Sequence, residues 1–449
     1  MSVCVPDSTN WQIPVLGPAT FTSPLQLSST AGDCIPDWVD DDTRVLHDAV
    51  FTVGHPPDST RAFEVAGPRA QIFFDPAHTT AAIVTAGGLC PGINNVIRSI
   101  VLHAFHKYGV HRILGVHYGF AGLDPAEGIA PLPLGPDEVR YIHNRGGTLL
   151  GTSRGSHEVG TMVDTLERER IDILFVVGGD GTMKGAAALT DEIARRKVRI
   201  AVVGVPKTID NDIEYVDKTF GFDTAVTMAK LAIDAAHTEA TSARRGIGLV
   251  RLMGRDAGFV AAHATLASRD VNVCLVPEVP FAIDGDGGLL AFLEHRLDDR
   301  GHAVVVVAEG CGKRLAEQGQ GVRDPSGNLS LSHESLDIGR YLERAITKHF
   351  AARGLPCVLK YIDPSYIIRG VPAAATDAVF CDELARSAVH AAMAGKTAMM
   401  VGRSRGVFTH VPLGLVTSRH RRIDPDKSLW LAVMETTGQP RFRLSTACE

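Results

Sequence analysis

Short apolar runs alternate with amphipathic segments along the chain from about residue 80 onward. The runs are rich in β-branched residues and almost continuous, which is typical of strands buried on both faces of a parallel sheet. They cover residues 81–86, 113–118, 172–177, 200–205, 247–252, 272–276, 303–308 and 357–361. Amphipathic helices are predicted between them, for example over residues 182–197 and 222–238. This alternation predicts an α/β protein of the doubly wound type.

Residues 1–78 show no such periodicity and are rich in Pro, Ser, Thr and Asp. We interpret them as an N-terminal extension that wraps the body of the protein or a neighbouring subunit. In doubly wound sheets, ligands bind beyond the carboxyl ends of the strands, where the connecting loops converge. Candidate functional residues are therefore expected at the strand ends after residue 80.

Composition excludes several classes of partner. The net charge of −6, from 45 basic and 51 acidic residues, gives no overall attraction to nucleic acid or to an anionic membrane. No apolar run approaches the length of about 18 residues that a membrane span requires. The eight cysteines are scattered without a Cys-x-x-Cys pair, and the N-terminus does not resemble a secretory signal. We expect a cytoplasmic protein that binds neither nucleic acid nor membrane, in which any phosphate site is a local cluster.

The first apolar run leads directly into a glycine-rich turn, Gly87-Gly88-Leu89-Cys90-Pro91-Gly92, which a predicted helix follows. Glycines allow the backbone to approach an anion closely, and the N-terminus of a helix offers unpaired N–H groups to it. The turn is not a Walker A motif, because no Lys-Ser or Lys-Thr follows the glycines. On its own it is equally compatible with a tight turn that binds no ligand.

A second glycine turn, Gly178-Gly179-Asp180-Gly181-Thr182, follows the third run. A carboxylate here would repel a phosphate unless a divalent cation lay between them, so Asp180 indicates Mg²⁺. The alternative is that Asp180 only caps the next helix. The glycine run favours the phosphate and metal interpretation, because capping alone would not require it.

The fourth run ends in Pro206-Lys207-Thr208-Ile209-Asp210-Asn211-Asp212. If this segment is extended, Asp210 and Asp212 project to the same side while Asn211 points away. One carboxylate could accept the proton of an attacking hydroxyl and the other could help to hold a metal ion. The alternative, a solvated acidic turn, is less favoured because the segment follows a buried strand and contains Ile209.

Other strand ends and nearby loops each carry one or more polar groups. They include Met253-Gly254-Arg255, Pro277-Glu278, Glu309, and the group Lys360, Tyr366 and Arg369. Each is a weak signal alone, since surface arginines are common. Together they would supply cations for a sugar phosphate and a carboxylate for its hydroxyls.

These motifs resemble those of the phosphofructokinase family and stand in the same order. They are GGLCPGINNVIRSI, LGTSRG, VVGGDGT, PKTIDNDI, LMGRDAGF, VPE, AEG and KYIDPSYIIRG. The resemblance extends from about residue 80 to residue 410, and PKTIDND with GGDGT is its most specific part. The long N-terminal extension and the DPSYIIR block look most like the ATP-dependent branch found in plants, trypanosomes and some bacteria.

The resemblance implies a glycolytic, allosteric enzyme that phosphorylates fructose 6-phosphate to fructose 1,6-bisphosphate, with ATP as donor and Mg²⁺ as cofactor. It implies two doubly wound parallel-sheet domains with the active site in the cleft between them, in a homodimer or homotetramer. The corresponding division is an extension over 1–78, a nucleotide domain over 79–218 with part of 368–405, a sugar-phosphate domain over 219–367, and a C-terminal segment over 406–449.

The resemblance also assigns roles to individual residues. Asp210 would be the general base, assisted by Thr208, Arg154 and Arg255. The residues implied for ATP are Gly88, Arg154, Gly179, Asp180, Gly181 and Thr182, with Asp180 holding Mg²⁺. Those implied for the sugar phosphate are Thr208, Asp210, Asp212, Met253, Gly254, Arg255, Glu309, Lys360, Tyr366 and Arg369, with Lys360 donated by a neighbouring subunit.

Three positions depart from the compact bacterial members of the family. Phe120 stands where they have Tyr, Gly246 aligns with an intersubunit Arg, and Lys207 replaces a Gly. Pyrophosphate-dependent members have a second Asp at the position of Gly181, and a Lys at that of Lys207. Gly181 therefore favours ATP, and its combination with Lys207 is typical of the ATP-using branch.

Alternative functions remain open at this stage. One is a pyrophosphate-dependent phosphofructokinase, and another is a non-catalytic regulatory homologue, although the latter should have lost catalytic carboxylates that are present here. NAD kinases and lipid kinases share a GGDGT turn but lack the PKTIDND and MGRDAGF blocks. A Rossmann dinucleotide module would require G-x-G-x-x-G after the first strand, and GGLCPG has different spacing.

Overall fold

The computed structural model describes residues 11–155, 157–313 and 337–442. The strands in chain order are β1 Phe21–Thr22, β2 Arg44–Leu46, β3 Ala62–Val65, β4 Gln71–Ile72, β5 Thr80–Thr85, β6 Arg112–Val116, β7 Leu132–Leu134, β8 Ile173–Gly178, β9 Ala201–Pro206, β10 Gly246–Leu252, β11 Val273–Leu275, β12 His302–Ala308, β13 Val358–Ile362, β14 Met399–Ser404 and β15 Val407–Pro412. The helices are α1 Ile93–His103, α2 Val159–Arg168, α3 Asp180–Arg196, α4 Phe222–Ser242, α5 Phe259–Ser268, α6 Leu289–Arg300, α7 Ile338–Ala352, α8 Ala375–Met393, α9 Leu413–Val416 and α10 Ser428–Thr437.

The predicted α/β class is confirmed. Each predicted apolar run coincides with a strand to within two residues at either end, and both predicted helices are present as α3 and α4. None of the described helices is both long enough and apolar enough to span a membrane. Strands β14 and β15 were not among the predicted runs.

The chain divides into two compact units. Unit 1 comprises residues 1–208, 213–221 and 370–420, and unit 2 comprises residues 209–212, 222–369 and 421–449. The predicted C-terminal segment 406–449 is shared between the two units, and residues 209–212, inside the predicted nucleotide domain, belong to unit 2.

Unit 1 contains a nine-stranded sheet in the order β2-β3-β15-β14-β9-β8-β5-β6-β7. The pairs in the central part, from β14 through β9, β8 and β5 to β6, are parallel, whereas the outer pairs are antiparallel. Every residue of β5, β8 and β9 is buried, which requires both faces of the sheet to be covered. The three strands that carry glycine or lysine motifs at their ends are thus neighbours in the most buried part of the sheet.

The N-terminal segment contributes strands to this sheet. β2 and β3 add to its edge beyond β15. A buried group of charged side chains fastens β3 there, because Glu64 accepts hydrogen bonds from Arg69 at 2.9 Å and contacts Lys396 at 2.9 Å and His410 at 3.0 Å. Strands of three and four residues are too short to produce a recognisable alternation, which explains why the sequence pattern did not reveal them.

Unit 2 contains a four-stranded parallel sheet in the order β11-β12-β10-β13. All seven residues of β10 are buried, although one of them is Arg251. Since the strands are parallel, their carboxyl ends lie along the same edge of the sheet. The residues that follow β10, β12 and β13 are therefore brought together.

Candidate active site

The first glycine turn of unit 1 is tied to the ends of neighbouring strands. Gly87 has a φ of +86°, and its carbonyl accepts a 2.6 Å hydrogen bond from the Thr152 hydroxyl. The ammonium of Lys207, which follows β9, donates a 2.6 Å hydrogen bond to the carbonyl of Gly88. A Cβ on Gly87 would lie 3.7 Å from that ammonium and 3.6 Å from the Thr182 hydroxyl. The structure therefore brings three sequence-predicted residues, Gly88, Thr182 and Lys207, into one place.

Arg154 lies on a loop that is fastened to the same turn. Two residues before it, Thr152 holds the carbonyl of Gly87, and the N–H of Gly87 donates to the carbonyl of Ser153 at 3.1 Å. The Ser153 hydroxyl in turn donates to the Tyr118 carbonyl at 2.6 Å. Arg154 itself is exposed. Its attachment beside the first glycine turn supports the position expected for a phosphate-binding arginine.

Asp180 is the first residue of α3, and Gly179 occupies the N-cap position. The interpretation of Asp180 as an N-cap is therefore wrong, because the backbone of Gly179 already fills that position without a capping side chain. The carboxylate of Asp180 accepts a 2.7 Å hydrogen bond from Lys184, one turn further along α3, and lies 3.6 Å from Nε2 of His420. His420 is more than 200 residues away in the chain, and no sequence motif marks it.

The glycines around Asp180 have different local reasons. A Cβ on Gly178 would lie 2.2 Å from Cβ of Thr182, and one on Gly185 would lie 2.7 Å from the Phe120 ring, so close packing requires both glycines. A Cβ on Gly181 would meet nothing within 4 Å. Packing within the protein therefore does not explain Gly181. Phe120 is a core residue against α3, so its ring has a packing role here.

Asp180 fits the way in which proteins bind Mg²⁺. Across residues 11–155, 157–313 and 337–442, no three His, Cys, Asp or Glu side chains could hold a metal ion by themselves. Mg²⁺ is usually bound through one or two carboxylates, with water and substrate phosphates supplying the other oxygens. A partly exposed carboxylate at the start of a helix, followed by the open position of Gly181, suits this mode.

The segment that follows β9 bends instead of continuing as a strand. Asn211 has a left-handed φ of +53° and is buried. The premise of an extended segment with alternating side chains is therefore wrong. Asp210 and Asp212 nevertheless lie close enough for the charge of Asp212 to raise the pKa of Asp210. The burial of Ile209 and Asn211 argues against a solvated turn.

The surroundings of Asp210 in unit 2 favour the protonated form of its carboxyl group. Burial raises its pKa well above the usual value, and the negative charges of Asp212 and Glu309 raise it further. The backbone N–H of Arg255 donates a hydrogen bond to this carboxylate, and the hydrogen bond and the positive charge of Arg255 oppose the rise. A carboxylate with a raised pKa is a better proton acceptor than an ordinary aspartate.

The turn that carries Arg255 is packed against the turn that carries Glu309. Gly254 has a φ of +129°, and the N–H of Gly310 donates to its carbonyl at 3.0 Å. A Cβ on Gly310 would lie 2.3 Å from the carbonyl oxygen of Arg255, so only glycine fits there. This contact fixes the spacing between the two turns. Met253, just before them, is partly buried.

Glu309 lies in a buried network of opposite charges. Burial raises its pKa and so does Asp363, while Arg251, Arg255 and Arg369 lower it. The Nη2 of Arg251 lies 2.9 Å from Oε2 of Glu309. Arg251 was not among the sequence-predicted site residues, because it lies inside an apolar strand where no loop or glycine marks it.

The remaining sugar-phosphate candidates are less closely gathered. Lys360 is exposed on the edge strand β13, opposite Gly248 in the register with β10. Tyr366 is 75% exposed, and the guanidinium of Arg369 lies 5.0 Å from the centre of its ring. Arg369 also contributes its charge to the environment of Glu309. The structure therefore brings Arg369 to the Glu309 network, while Lys360 and Tyr366 face solvent.

Glu278 has a structural role. One carboxylate oxygen accepts hydrogen bonds from the N–H of Gly258 at 3.0 Å and from that of Ile423 at 2.9 Å, and the other accepts from Gly258 at 3.2 Å. It thus binds the start of α5 to the C-terminal segment of unit 2. Backbone N–H groups therefore occupy both carboxylate oxygens of Glu278.

Comparisons with known proteins show which family the chain resembles. A model of the phosphofructokinase family matches residues 80–392. The chain is 46% identical over 440 residues to the ATP-dependent 6-phosphofructokinase of Amycolatopsis methanolica, covering 96% of this chain and 95% of that protein. It is 45% identical over 429 residues to ATP-dependent 6-phosphofructokinase 1 of Arabidopsis thaliana, covering 94% of this chain and 88% of that protein.

The fold is also found among solved structures. The crystal structure of a pyrophosphate-dependent phosphofructokinase from Marinobacter aquaeolei matches with a TM-score of 0.63, at 21% sequence identity, over 77% of this chain and 86% of that chain. At this identity the likeness concerns the fold alone. The family resemblance drawn from the motifs is confirmed, and it implies a kinase that needs a divalent metal ion. The chain belongs to the phosphofructokinase family and is an enzyme of that type.

Proposed function

We propose that this chain transfers the terminal phosphoryl group of ATP to the C1 hydroxyl of fructose 6-phosphate, giving fructose 1,6-bisphosphate. The observation that carries the proposal is the carboxyl group of Asp210, whose pKa is raised by burial and by Asp212 and Glu309. Phosphoryl transfer demands little covalent chemistry from the protein and depends on positioning, on charge neutralisation and on a group that accepts the hydroxyl proton. Asp210 is the group best suited to accept it.

Unit 1 supplies the nucleotide site in this proposal. The backbone of Gly88, Gly179 and Gly181 and the hydroxyl of Thr182 lie at strand ends and at the start of α3, where N–H groups favour phosphate. Arg154 neutralises charge on the transferring group. Asp180 holds Mg²⁺, which screens the phosphate charge when bound. Lys184 and His420 keep the Asp180 carboxylate in place.

Unit 2 supplies the sugar site. Arg255 and Arg369 lie close enough to Glu309 for their positive charges to lower its pKa. We assign Glu309 as acceptor of sugar hydroxyls, with Met253 and Gly254 shaping the same turn. Arg369, Tyr366 and Lys360 bind the 6-phosphate, and the exposure of Lys360 on an edge strand supports its donation to a neighbouring subunit in a homodimer or homotetramer.

In the reaction, the Asp210 carboxylate accepts the proton of the C1 hydroxyl as the hydroxyl oxygen attacks the terminal phosphorus of ATP. The bond from that phosphorus to the oxygen bridging to the β-phosphate breaks, and ADP leaves. The backbone N–H of Arg255 holds the carboxylate in orientation. Thr208 precedes the base in the chain, and its carbonyl accepts a 2.7 Å hydrogen bond from Thr219, which fixes the end of β9. Because the base must be ionised to act, activity is expected to fall as pH falls through the raised pKa of Asp210.

Pyrophosphate as donor is the second candidate, and Lys207 is the observation that favours it. This lysine holds the first glycine turn through the Gly88 carbonyl. Gly181 favours ATP, since its open position leaves room for a nucleotide. Both relatives named above are called ATP-dependent, which supports ATP as the donor here. The cysteines of the described residues form no disulfide bond with one another, which supports a reducing, cytoplasmic location.

The experiment is to incubate the purified chain with fructose 6-phosphate and Mg–ATP and to identify the product. We expect a bisphosphate that carries the new phosphate on C1, formed only when a divalent cation is present. Fructose 1-phosphate, which has no free C1 hydroxyl, is the matched control and should not react at that carbon. No turnover of fructose 6-phosphate with either phosphoryl donor would contradict the proposal and support a non-catalytic homologue.

A further inference from the structure

One arginine is buried in the middle of the unit 2 sheet. Arg251 is the penultimate residue of β10, whose other six residues are apolar or glycine. Its side chain is 4% exposed. A buried guanidinium is costly unless carboxylates and hydrogen-bond acceptors surround it. The partners of Arg251 therefore indicate why it is there.

Arg251 joins three carboxylates that come from three separate elements. Its Nη2 donates to Glu309, directly after β12, at 2.9 Å. Its Nη1 donates to Asp363, directly after β13, at 2.7 Å. Its Nε lies 3.5 Å from Asp337, the N-cap of α7. One side chain on the central strand thus fastens the ends of both neighbouring strands.

We propose that Arg251 is a positioning residue for the sugar phosphate, which keeps the Glu309 carboxylate ionised and directed into the sugar site. This inference rests on the proposed function, because that function assigns sugar hydroxyls to Glu309. Arg251 contacts Glu309 from within β10 and has almost no exposed surface. It therefore acts on the substrate through Glu309.

The charges around Glu309 explain why this arginine matters. Arg255 and Arg369 also favour the ionised form, whereas burial and Asp363 disfavour it. Asp210 and Glu309 repel each other as well. Arg251 makes the largest favourable contribution to ionised Glu309. Without it, the Glu309 pKa rises further and the carboxyl group accepts a proton at a higher pH.

An arginine suits this position better than a lysine. The guanidinium is planar and presents several N–H donors in fixed directions, so it can bind Glu309 and Asp363 at the same time. A lysine keeps the charge but offers a single ammonium on a flexible chain. We therefore expect Arg251→Lys to preserve part of the effect and Arg251→Met to remove all of it.

The test compares Michaelis constants across pH. In Arg251→Met, the KM for fructose 6-phosphate should rise by at least about tenfold at neutral pH, as expected when one partner of a buried charge pair is removed. The KM of this variant should decrease as pH rises, because Glu309 then ionises again. The KM for Mg–ATP and kcat should change by less than about threefold. Arg251→Lys should lie between the wild type and Arg251→Met.

Arg196 offers a matched control in unit 1. It also contacts three carboxylates, those of Asp164, Glu167 and Glu192, but its side chain is more exposed and it lies on α3. Arg196→Met should leave the KM for fructose 6-phosphate and its pH profile unchanged. A similar KM change in Arg196→Met would show that the loss of any such arginine disturbs the enzyme, and would overturn the inference.

A double-mutant cycle separates this inference from the proposed function. If Glu309→Gln leaves the KM for fructose 6-phosphate unchanged, the sugar role of Glu309 fails, whatever Arg251 does. If Glu309→Gln raises the KM but Arg251→Met does not, only the inference fails. We expect the effect of Arg251→Met to be largely lost in a Glu309→Gln background. If Arg251→Met does not fold, Arg251→Lys decides, and a wild-type KM at every pH in that variant overturns the proposal.

Discussion

The ammonium of Lys207 donates a 2.6 Å hydrogen bond to the backbone carbonyl of Gly88. The residue after β9 therefore fastens the glycine turn after β5, although β8 lies between these two strands in the sheet. This lysine matters for donor choice, because the family resemblance associates it with pyrophosphate-dependent members. Its bond to Gly88 gives it a structural role that does not depend on the donor. We therefore expect donor choice to depend mainly on Gly181.

Gly181→Asp should raise the KM for ATP by more than tenfold. The side chain can be added without a clash, since a Cβ there meets nothing within 4 Å. A new carboxylate about 4 Å from a phosphate, at an effective dielectric near 20, is repelled by about 4 kcal/mol, and even half of this exceeds a tenfold loss. Pyrophosphate lacks the α-phosphate of a nucleotide and should be affected less.

Gly181→Asn is the control for this change, because it adds nearly the same bulk without the charge. Its KM for ATP should stay closer to the wild-type value than that of Gly181→Asp. Steady-state kinetics with both donors would measure the difference. If both variants lose ATP equally, bulk and not charge sets the donor preference.

Asp180→Ala should weaken the binding of Mg–ATP while fructose 6-phosphate still binds normally. The physical reason is the loss of the carboxylate expected to hold the metal ion. Isothermal titration with each ligand separately measures the two effects. Lys184→Met, which removes the partner at 2.7 Å but keeps the carboxylate, should bind Mg–ATP far better than Asp180→Ala. An equal loss of both ligands in Asp180→Ala would mean that Asp180 only supports the helix.

Asp210→Asn should lower kcat by roughly 10²–10⁴-fold, the range that general-base assistance contributes. Asparagine is nearly isosteric and cannot accept the hydroxyl proton, while the Arg255 N–H can still donate to its side-chain oxygen. The affinity for fructose 6-phosphate should therefore be retained. Stopped assays at saturating substrate would give kcat. More than a tenth of the wild-type turnover would show that another group is the base.

Asp212→Asn should move the acid limb of kcat/KM to lower pH. The negative charge of Asp212 raises the pKa of Asp210, so its removal lowers that pKa. Asp210 works when ionised, and it stays ionised to lower pH when its pKa falls. Glu214→Gln is a charge-matched control, because Glu214 lies two residues further on and pairs with Arg419 at 3.3 Å. An acid limb that shifts upward in Asp212→Asn would contradict the assignment.

Much of the fold could be predicted because buried parallel strands leave a strong pattern. The apolar runs located β5, β8 and β9, and their ends directed attention to Gly88, Asp180 and Lys207. β14 and β15 were not predicted, although both are largely buried. Only a two-residue turn separates them, so no helical segment between them marks two separate strands. The strands of the N-terminal segment were too short to give a period.

Tertiary relationships account for the parts of the site that could not be predicted. His420 lies near Asp180 because a segment distant in sequence folds back to the start of α3. Asn211 adopts a left-handed conformation that was not predicted from the neighbouring residues. In the sequence, Arg251 is a single charged residue in an apolar strand. Only the structure shows that it contacts Glu309, Asp337 and Asp363. A sequence pattern records periodicity and local turns, whereas these contacts depend on distant segments.

The most direct test of the central claim is a donor assay on the wild-type chain. Turnover of fructose 6-phosphate is measured with Mg–ATP and with Mg–pyrophosphate, at saturating sugar phosphate and equal enzyme concentration. With Gly181 in place, we predict turnover with ATP and little or none with pyrophosphate. Turnover with pyrophosphate equal to or above that with ATP would contradict the account.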